Sequence, residues 1–228
     1  MHKIAENVYL EVGSDEPIES ENLMEFRLLY QGELLAASRN DTRAKHKHEL
    51  RRSFHLQLRR LWSLNANLRE YVLRKSLKSH PEGRTNEERF ELGIRAIGKE
   101  WSRAGYDLVP LVLPEFALRC SLDILLLRPE DDKFIFERGD IDGQIKTLFD
   151  ALRIPDHSSE TGGALPDADE KPLFCLLQND KLISEVKVTA DQMLLLPGTR
   201  EPKANDAFVV IHVKLNHKVA RTFDDYFG

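Results

Sequence analysis

The feature that most constrains this chain is the run from 139 to 152, GDIDGQIKTLFDAL, where charged residues stand at the start of a periodic apolar stretch. Apolar residues recur there at three- and four-residue spacing, which predicts a helix that packs one face against a core. Asp140 and Asp142 lie two apart in the extended or turning segment that leads into the helix, so their carboxylates project to one side. The charged start of the helix is therefore expected to sit on a rigid element and to point outward.

Two carboxylates at this spacing can share one hard cation, because Mg²⁺ prefers a few carboxylate oxygens and keeps several waters. Lys146 lies one helical turn after Asp142, so its ammonium can reach the same place. A third candidate ligand, Asp180, ends an apolar run that predicts a strand, and Val186 and Val188 then alternate as in a further strand. An Asp-x-Asp pair alone is more often a solvated turn, so the metal hypothesis depends on the whole set.

Together these residues resemble the RusA family of Holliday-junction resolvases. That family carries an Asp-x-Asp-Asn-x-x-Lys sequence that opens a helix containing Phe-Asp-Ala-Leu, followed by an Asp-Asp pair before a strand. Asp140, Asp142 and Lys146 match the first motif, residues 149 to 152 match the helix, and Asp180 matches the second member of the pair. Three carboxylates and a lysine in this arrangement are a more specific pattern than Asp-x-Asp alone.

The resemblance covers roughly the last half of the chain, from 120 to 213, and departs from the family at two positions. Gly143 stands where the family usually has Asn, and Asn179 stands where the first Asp of the pair would be. Side chains at such positions can support metal ligands by hydrogen bonding, so this support is expected to differ here.

The resemblance implies a Mg²⁺-dependent, structure-selective endodeoxyribonuclease, with Mn²⁺ as a possible substitute, that cleaves branched DNA such as Holliday junctions in recombination and repair. It implies that Asp140, Asp142 and Asp180 hold the metal, that Lys146 brings positive charge to the scissile phosphate or positions the nucleophile, and that the protein acts as a homodimer. One alternative is a catalytically inactive RusA-like module that binds DNA or a protein partner. Another is an interaction protein whose basic helix and acidic loop contact other proteins.

The charge of the chain is unevenly distributed. Its net charge of −5 argues mildly against nucleic acid as a partner, but between 43 and 60 only Glu49 opposes seven cations. Apolar residues at helical spacing within this segment predict a helix that docks by its apolar face and presents cations to phosphates. A solvated charged face without a ligand is about as well supported by this segment alone. The candidate DNA-binding residues are Arg43, Lys45, Lys47, Arg51, Arg52, Arg59 and Arg60.

Three histidines in the same segment, His46, His48 and His55, suggest zinc only weakly. On a helix the first two point to different sides, and no cysteine is near. They are predicted to add polar contacts to the basic face.

The two cysteines, Cys120 and Cys175, lie in apolar runs and are predicted to be buried thiols, which fits a reducing compartment. No apolar run is long enough to cross a bilayer, and the N-terminus lacks the layout of a secretory signal. A cytoplasmic protein without a membrane partner is therefore expected.

The predicted fold class is α/β, with a small mixed sheet, packed helices and a basic helical N-terminal elaboration. We expect an acidic arm at 1 to 23 and a single RusA-like domain at 24 to 228. That domain would contain a helical insertion at about 43 to 100 and a metal-site core at about 118 to 216.

Several local features complete the prediction. Strands are expected at 24 to 30, 108 to 113 and 120 to 127, and a capping-box pattern starts at Thr85, although glycines at 93 and 98 leave helix or strand open. The polar stretch from 155 to 172 is predicted to be a mobile loop or a functional flap. Asp123, in an apolar strand, would point to solvent or lie near the metal site.

Overall fold

The computed structural model describes residues 22–37, 41–77, 84–129, 141–194, 203 and 205–217. A four-stranded mixed sheet forms its centre, with strands in the order β1-β6-β3-β5. Neighbours in this sheet are antiparallel except for the parallel pair β3 and β5. A second, two-stranded parallel sheet consists of β2 and β4. The strands are β1 (Asn22–Glu33), β2 (Leu108–Val112), β3 (Leu118–Pro129), β4 (Leu173–Leu177), β5 (Ile183–Met193) and β6 (Asp206–His217).

Helices α1 (Asp41–Leu64), α2 (Ala66–Leu77) and α3 (Asn86–Glu100) precede β2, and α4 (Ile141–Leu152) follows β3. The predicted α/β class with a mixed sheet is confirmed, although the strands divide into two sheets. Residues 1 to 21, and with them most of the predicted acidic arm, lie outside the described residues.

The open choice between helix and strand after Thr85 is settled as helix. The Thr85 hydroxyl accepts from the backbone N–H of Glu88 at 3.2 Å, and the Glu88 carboxylate accepts from the backbone N–H of Thr85 at 2.9 Å, so the predicted capping box is present. Gly93 fits the helix because a Cβ there would lie 2.5 Å from the backbone oxygen of Val72. The glycine therefore allows the close approach of α2 and α3.

The core lies between the helices and one face of the larger sheet. Leu50, Phe54 and Leu58 of α1 are at most 1 % exposed, as their helical spacing predicts. Alternate residues of β3 are buried on the same side, whereas Asp123 points to solvent and pairs with Lys187 at 3.2 Å. The solvent position of Asp123 is therefore the observed one.

The two cysteines are buried as predicted. Cys120 and Cys175 are at most 1 % exposed, and burial raises the pKa of each thiol to about 12. Both thiols therefore stay protonated at neutral pH and behave as core residues.

The polar stretch from 155 to 172 is folded onto α1 and is not a free loop. It contains two 3-10 turns, Ser158–Thr161 and Ala168–Glu170, and both Thr161 and Glu170 are buried. The Arg52 guanidinium pairs with the Glu170 carboxylate at 2.6 Å and also with Asp167. Polar composition predicted a loop, but these contacts anchor the segment.

The three histidines of α1 are core residues, which corrects the prediction that they lie on a basic face. His46 accepts from the backbone N–H of Leu35 at 3.2 Å, and His55 accepts from that of Phe174 at 2.8 Å. A hydrogen bond of 3.0 Å joins His48 to the hydroxyl of Tyr106. Each imidazole thus links α1 to a different part of the fold.

Burial of His48 makes the stability of the fold depend on pH. Burial lowers the pKa of His48 to about 4 and also lowers the pKa of His46 and His55. Between pH 6.5 and 4 the unfolded chain binds a proton at His48 that the folded chain does not. The free energy of unfolding should therefore decrease as the pH is lowered through this window. We expect His48 alone to contribute about 1 to 3 kcal/mol of this loss. Denaturant unfolding at pH 7 and pH 4.5, on the wild type and on His48→Gln, measures it. Equal losses in the two proteins would contradict the assignment.

Candidate active site

The first two turns of α4 expose Asp142 and Lys146 side by side. Asp142 lies within the first helical turn, which corrects the prediction that it precedes the helix in an extended or turning segment. Between and after these two residues, Gly143, Gln144, Ile145, Thr147 and Leu148 are all buried. Residues four apart share a helix face, so the carboxylate and the ammonium lie on the same solvent-facing edge. The apolar periodicity that formed the helix also determines this direction, since the helix must bury its other face against the sheet.

The start of α4 is held in place by a buried polar residue. The Gln144 side chain donates to the backbone oxygen of Leu34 at 2.9 Å, and its oxygen accepts from Arg128 of β3. The Thr147 hydroxyl donates to the backbone oxygen of Gly143 at 3.1 Å. These bonds connect the helix to the end of β1 and to the central strand. Sequence reasoning missed Gln144, and the available signal was a polar residue on the inward face of an amphipathic helix.

The structure gives a reason for glycine at position 143. A Cβ on Gly143 would lie 2.9 Å from the Cβ of Ala36, and the backbone N–H of Ala37 donates to the Gly143 carbonyl at 2.8 Å. The chain after β1 therefore lies directly against the first turn of α4. No space remains for the Asn side chain that the resembled family usually has there.

Restoring that side chain should destabilise the protein. We expect Gly143→Asn to lower the free energy of unfolding by about 1 to 3 kcal/mol, because the new side chain overpacks the contact with Ala36. Thermal and denaturant unfolding would measure the change. Lys146→Gln, on the exposed face of the same helix, is the matched control and should leave stability nearly unchanged. A Gly143→Asn protein as stable as the wild type would show that residues 36 and 37 can move away.

Asp180 opens a 3-10 turn, Asp180–Leu182, immediately after β4. The Asn179 side chain caps this turn by accepting from the backbone N–H of Lys181 at 2.9 Å. The turn contacts α4, and both Leu182 and Phe149 pack against the main core. Asp180 is exposed, so α4 and the neighbouring turn each offer a carboxylate to solvent.

The third predicted ligand, Asp140, lies outside the described residues. Within the ranges that are described, no cluster of three or more His, Cys, Asp or Glu side chains could hold a metal ion. Asp142 and Asp180 are the two predicted ligands that the structure places, and their oxygen donors are of the type that Mg²⁺ uses.

The inward side of α1 contains two of the predicted DNA-binding cations. Arg51 is 1 % exposed, and its guanidinium donates to the backbone oxygens of Asp150 at 2.6 Å and Arg153 at 3.2 Å. Lys47 pairs with the Asp150 carboxylate at 2.5 Å. The predicted contact of Arg51 with DNA is therefore wrong, because its side chain is used to fasten α1 to the end of α4.

The outward side of α1 presents the other cations. Lys45, Arg52 and Arg59 recur every seven residues and are exposed, so they form a stripe about 21 Å long. The charge of Arg52 is neutralised by its ion pairs with Asp167 and Glu170. Arg60, next to Arg59 in the chain, is also exposed. Arg43 is half-buried at the start of the helix. The basic surface of α1 is therefore smaller than the sequence suggested.

The fold and the exposed charges define an α/β protein with a mixed sheet and an acidic helix start. Comparison of the chain with protein-family models, curated proteins and solved structures gives no significant match. Among the helices that the structure describes, none is both long and apolar enough to cross a membrane.

Proposed function

We propose that this protein is a Mg²⁺-dependent, structure-selective endodeoxyribonuclease of the RusA type that cleaves branched DNA such as Holliday junctions. The observation that carries the proposal is the anchored start of α4, which exposes Asp142 and Lys146 on one edge. The turn that bears Asp180 packs beside the same helix. A carboxylate–lysine edge on a rigid helix with a second exposed carboxylate nearby is suited to phosphodiester chemistry.

The donor set fits the proposed metal. Asp142 and Asp180 offer exposed carboxylate oxygens, and Asp140, two residues before Asp142, would complete the set. When bound, Mg²⁺ supplies charge neutralisation and an activated water. Lys146 would place its ammonium near the scissile phosphate and offset the charge that develops there. Gln144 would maintain this geometry through its buried hydrogen bonds.

The DNA-contacting surface in this proposal is the exposed side of α1, without Arg52, which is paired with Asp167 and Glu170. Lys45, Arg59 and Arg60 would contact phosphates, which fix the position of the duplex without reading its sequence. The protein would act as a cytoplasmic homodimer, so that two sites can nick opposed strands of a junction in recombination or repair. Mn²⁺ would serve in place of Mg²⁺.

A second candidate is a RusA-like protein that binds branched DNA without cutting it. Two observations favour this candidate. Position 143 is a glycine and has no side chain, and the Asn179 side chain is used to cap the turn that begins at Asp180. Neither residue can then support a metal ligand by a side-chain hydrogen bond. In metal sites the loss of such support typically lowers metal affinity or activity by about 10- to 100-fold.

The test is cleavage of a labelled four-way DNA junction in Mg²⁺, compared with a linear duplex of the same sequence. Junction-selective nicking supports the nuclease. Salt-sensitive junction binding without cleavage in Mg²⁺ or Mn²⁺ identifies the non-catalytic candidate. Absence of any salt-sensitive affinity for DNA would contradict both and point to an interaction protein.

A further inference from the structure

Strand β5 lies at the edge of the larger sheet, and its residues are exposed on both faces of the strand. Among the described strands it hydrogen-bonds to β3 alone, at the end of the sheet order. Every residue from Ser184 to Gln192 is exposed, although a sheet strand normally buries at least one face. Within the described residues, both faces of β5 and its outer backbone edge are therefore open from Glu185 to Asp191, and beyond them the backbone N–H of Gln192 donates to the Asp191 carboxylate at 2.7 Å.

One of these open faces continues the protein core. Val186, Val188 and Ala190 are register partners of Leu122, Ile124 and Leu126, which are at most 1 % exposed on β3. Val186 is nevertheless 41 % exposed and Val188 37 % exposed. The helical layer thus ends above β3, and an apolar strip on β5 is left without cover in the described structure.

At the opposite edge of the same sheet, a side chain of α1 occupies backbone hydrogen-bonding groups of the edge strand β1. At β1, the side chain of Gln57 from α1 accepts from the backbone N–H of Leu29 at 2.8 Å and donates to its oxygen at 2.7 Å. A cap of this kind blocks pairing with another strand. The described part of the chain provides no such cap along the outer edge of β5 between Glu185 and Thr189.

We infer that the outer edge of β5 pairs antiparallel with β5 of a second copy of this chain. The pairing would join two four-stranded sheets into one and place the apolar strips of the two copies side by side. The interface does not require nuclease activity, but it supplies a surface for the homodimer in the proposed function. A two-fold axis perpendicular to the sheet relates the two strands. The numbers of any two opposed residues therefore add up to twice the number of the residue on the axis, and this central residue defines the register.

Charge selects the register of this pairing. If the two-fold axis passes through Val188, Glu185 lies opposite Asp191 of the partner subunit at two places. If the axis passes through Lys187, the two copies of Lys187 lie opposite each other. Like charges in such positions are unfavourable. A centre at Thr189 instead places Lys187 opposite Asp191 of the partner subunit twice and aligns Val188 with the partner's Ala190. That register also uses the strand from 185 to 193, almost its full length.

A shorter register, centred at Val186, is also compatible in charge because it opposes Glu185 and the partner's Lys187. It pairs only residues 183 to 189 and leaves the apolar end of the strip unpaired. The two registers make different predictions for Asp191 and Glu185, so substitution can distinguish them.

Sedimentation equilibrium of the full chain tests the proposal, with DNA absent so that cleavage is irrelevant. The wild type should be dimeric. Asp191→Lys places Lys opposite Lys187 at two positions and should weaken the dimer by at least about tenfold in dissociation constant. The triple variant Asp123→Lys, Lys187→Glu and Asp191→Lys restores opposite charges across the interface, keeps the ion pair between positions 123 and 187, and should recover most of the affinity.

Glu185→Lys is the matched control, because in the Thr189 register it faces no charged residue and should leave the dimer nearly unchanged. Circular dichroism of each variant would establish that the fold is retained. A monomeric wild type would overturn the inference, as expected if another segment of this chain or a different protein occupies the edge. A dimer that is insensitive to Asp191→Lys, or sensitive to Glu185→Lys instead, would also overturn it.

Discussion

Replacing Asp142 by Asn is expected to reduce Mg²⁺-dependent cleavage of a four-way junction by at least about 100-fold, because in the proposed site the carboxylate would be a metal ligand and its loss would remove several kcal/mol of transition-state stabilisation. The folded state should be nearly unaffected, since Asp142 is exposed and the buried residues around it hold α4 in place. Binding of the junction should persist or tighten, because the substitution also removes a negative charge near phosphate. Cleavage kinetics and junction affinity in the same buffer measure both effects.

Glu87→Gln is the matched control for this experiment. It also removes a carboxylate charge from an exposed helix start, on α3, and its side chain is 79 % exposed. It should leave cleavage and binding unchanged. Equal cleavage by Asp142→Asn and the wild type would remove Asp142 from the active site. Loss of binding together with cleavage, in a protein that still folds, would show that the carboxylate acts in binding instead.

Replacing Arg51 by Met should destabilise the protein by about 2 to 5 kcal/mol. The guanidinium is buried and donates to the backbone oxygens of Asp150 and Arg153 at the end of α4. Met fills much of the same space but leaves these buried acceptors without their donor. Denaturant unfolding, with the midpoint and the slope both fitted, gives the loss in the free energy of unfolding.

Arg60→Met, on the exposed side of the same helix, provides the comparison and should change stability by no more than about 0.5 kcal/mol. The pair of variants separates structural from DNA-contacting cations. If Arg51→Met kept full stability and instead lost affinity for DNA, the buried position of Arg51 would not describe the protein in solution.

Local patterns predicted the elements that depend on neighbours in the chain. The periodicity after Asp142 predicted α4 and its exposed edge, and the predicted capping-box pattern at Thr85 is present at the start of α3, although the sequence left helix or strand open there. The apolar runs around 108 to 113 and 120 to 127 became β2 and β3. In each case the signal lies within a few residues, so no distant contact is required to form it.

The charged and polar residues of α1 were less predictable. Arg51 has the same sequence surroundings as Arg52, but one side chain is buried and the other is exposed. The difference arises because α4 and its carbonyl oxygens, about a hundred positions later in the chain, pack against one side of α1. The three histidines are buried because other distant segments also pack on α1. Their hydrogen-bond partners are Leu35 just after β1, Tyr106 just before β2 and Phe174 on β4.

The sequence by itself determined that a helix runs through residues 145 to 152 with its charged start exposed, and that Cys120 and Cys175 are buried. Helical and strand periodicity are local properties, and burial of an apolar face follows from them. Only the tertiary structure decided that Arg51 fastens two helices, that the stretch from 155 to 172 packs on α1, and that β5 remains uncovered. These outcomes depend on which distant surfaces meet, because a buried polar group is stable only where the fold brings it a partner.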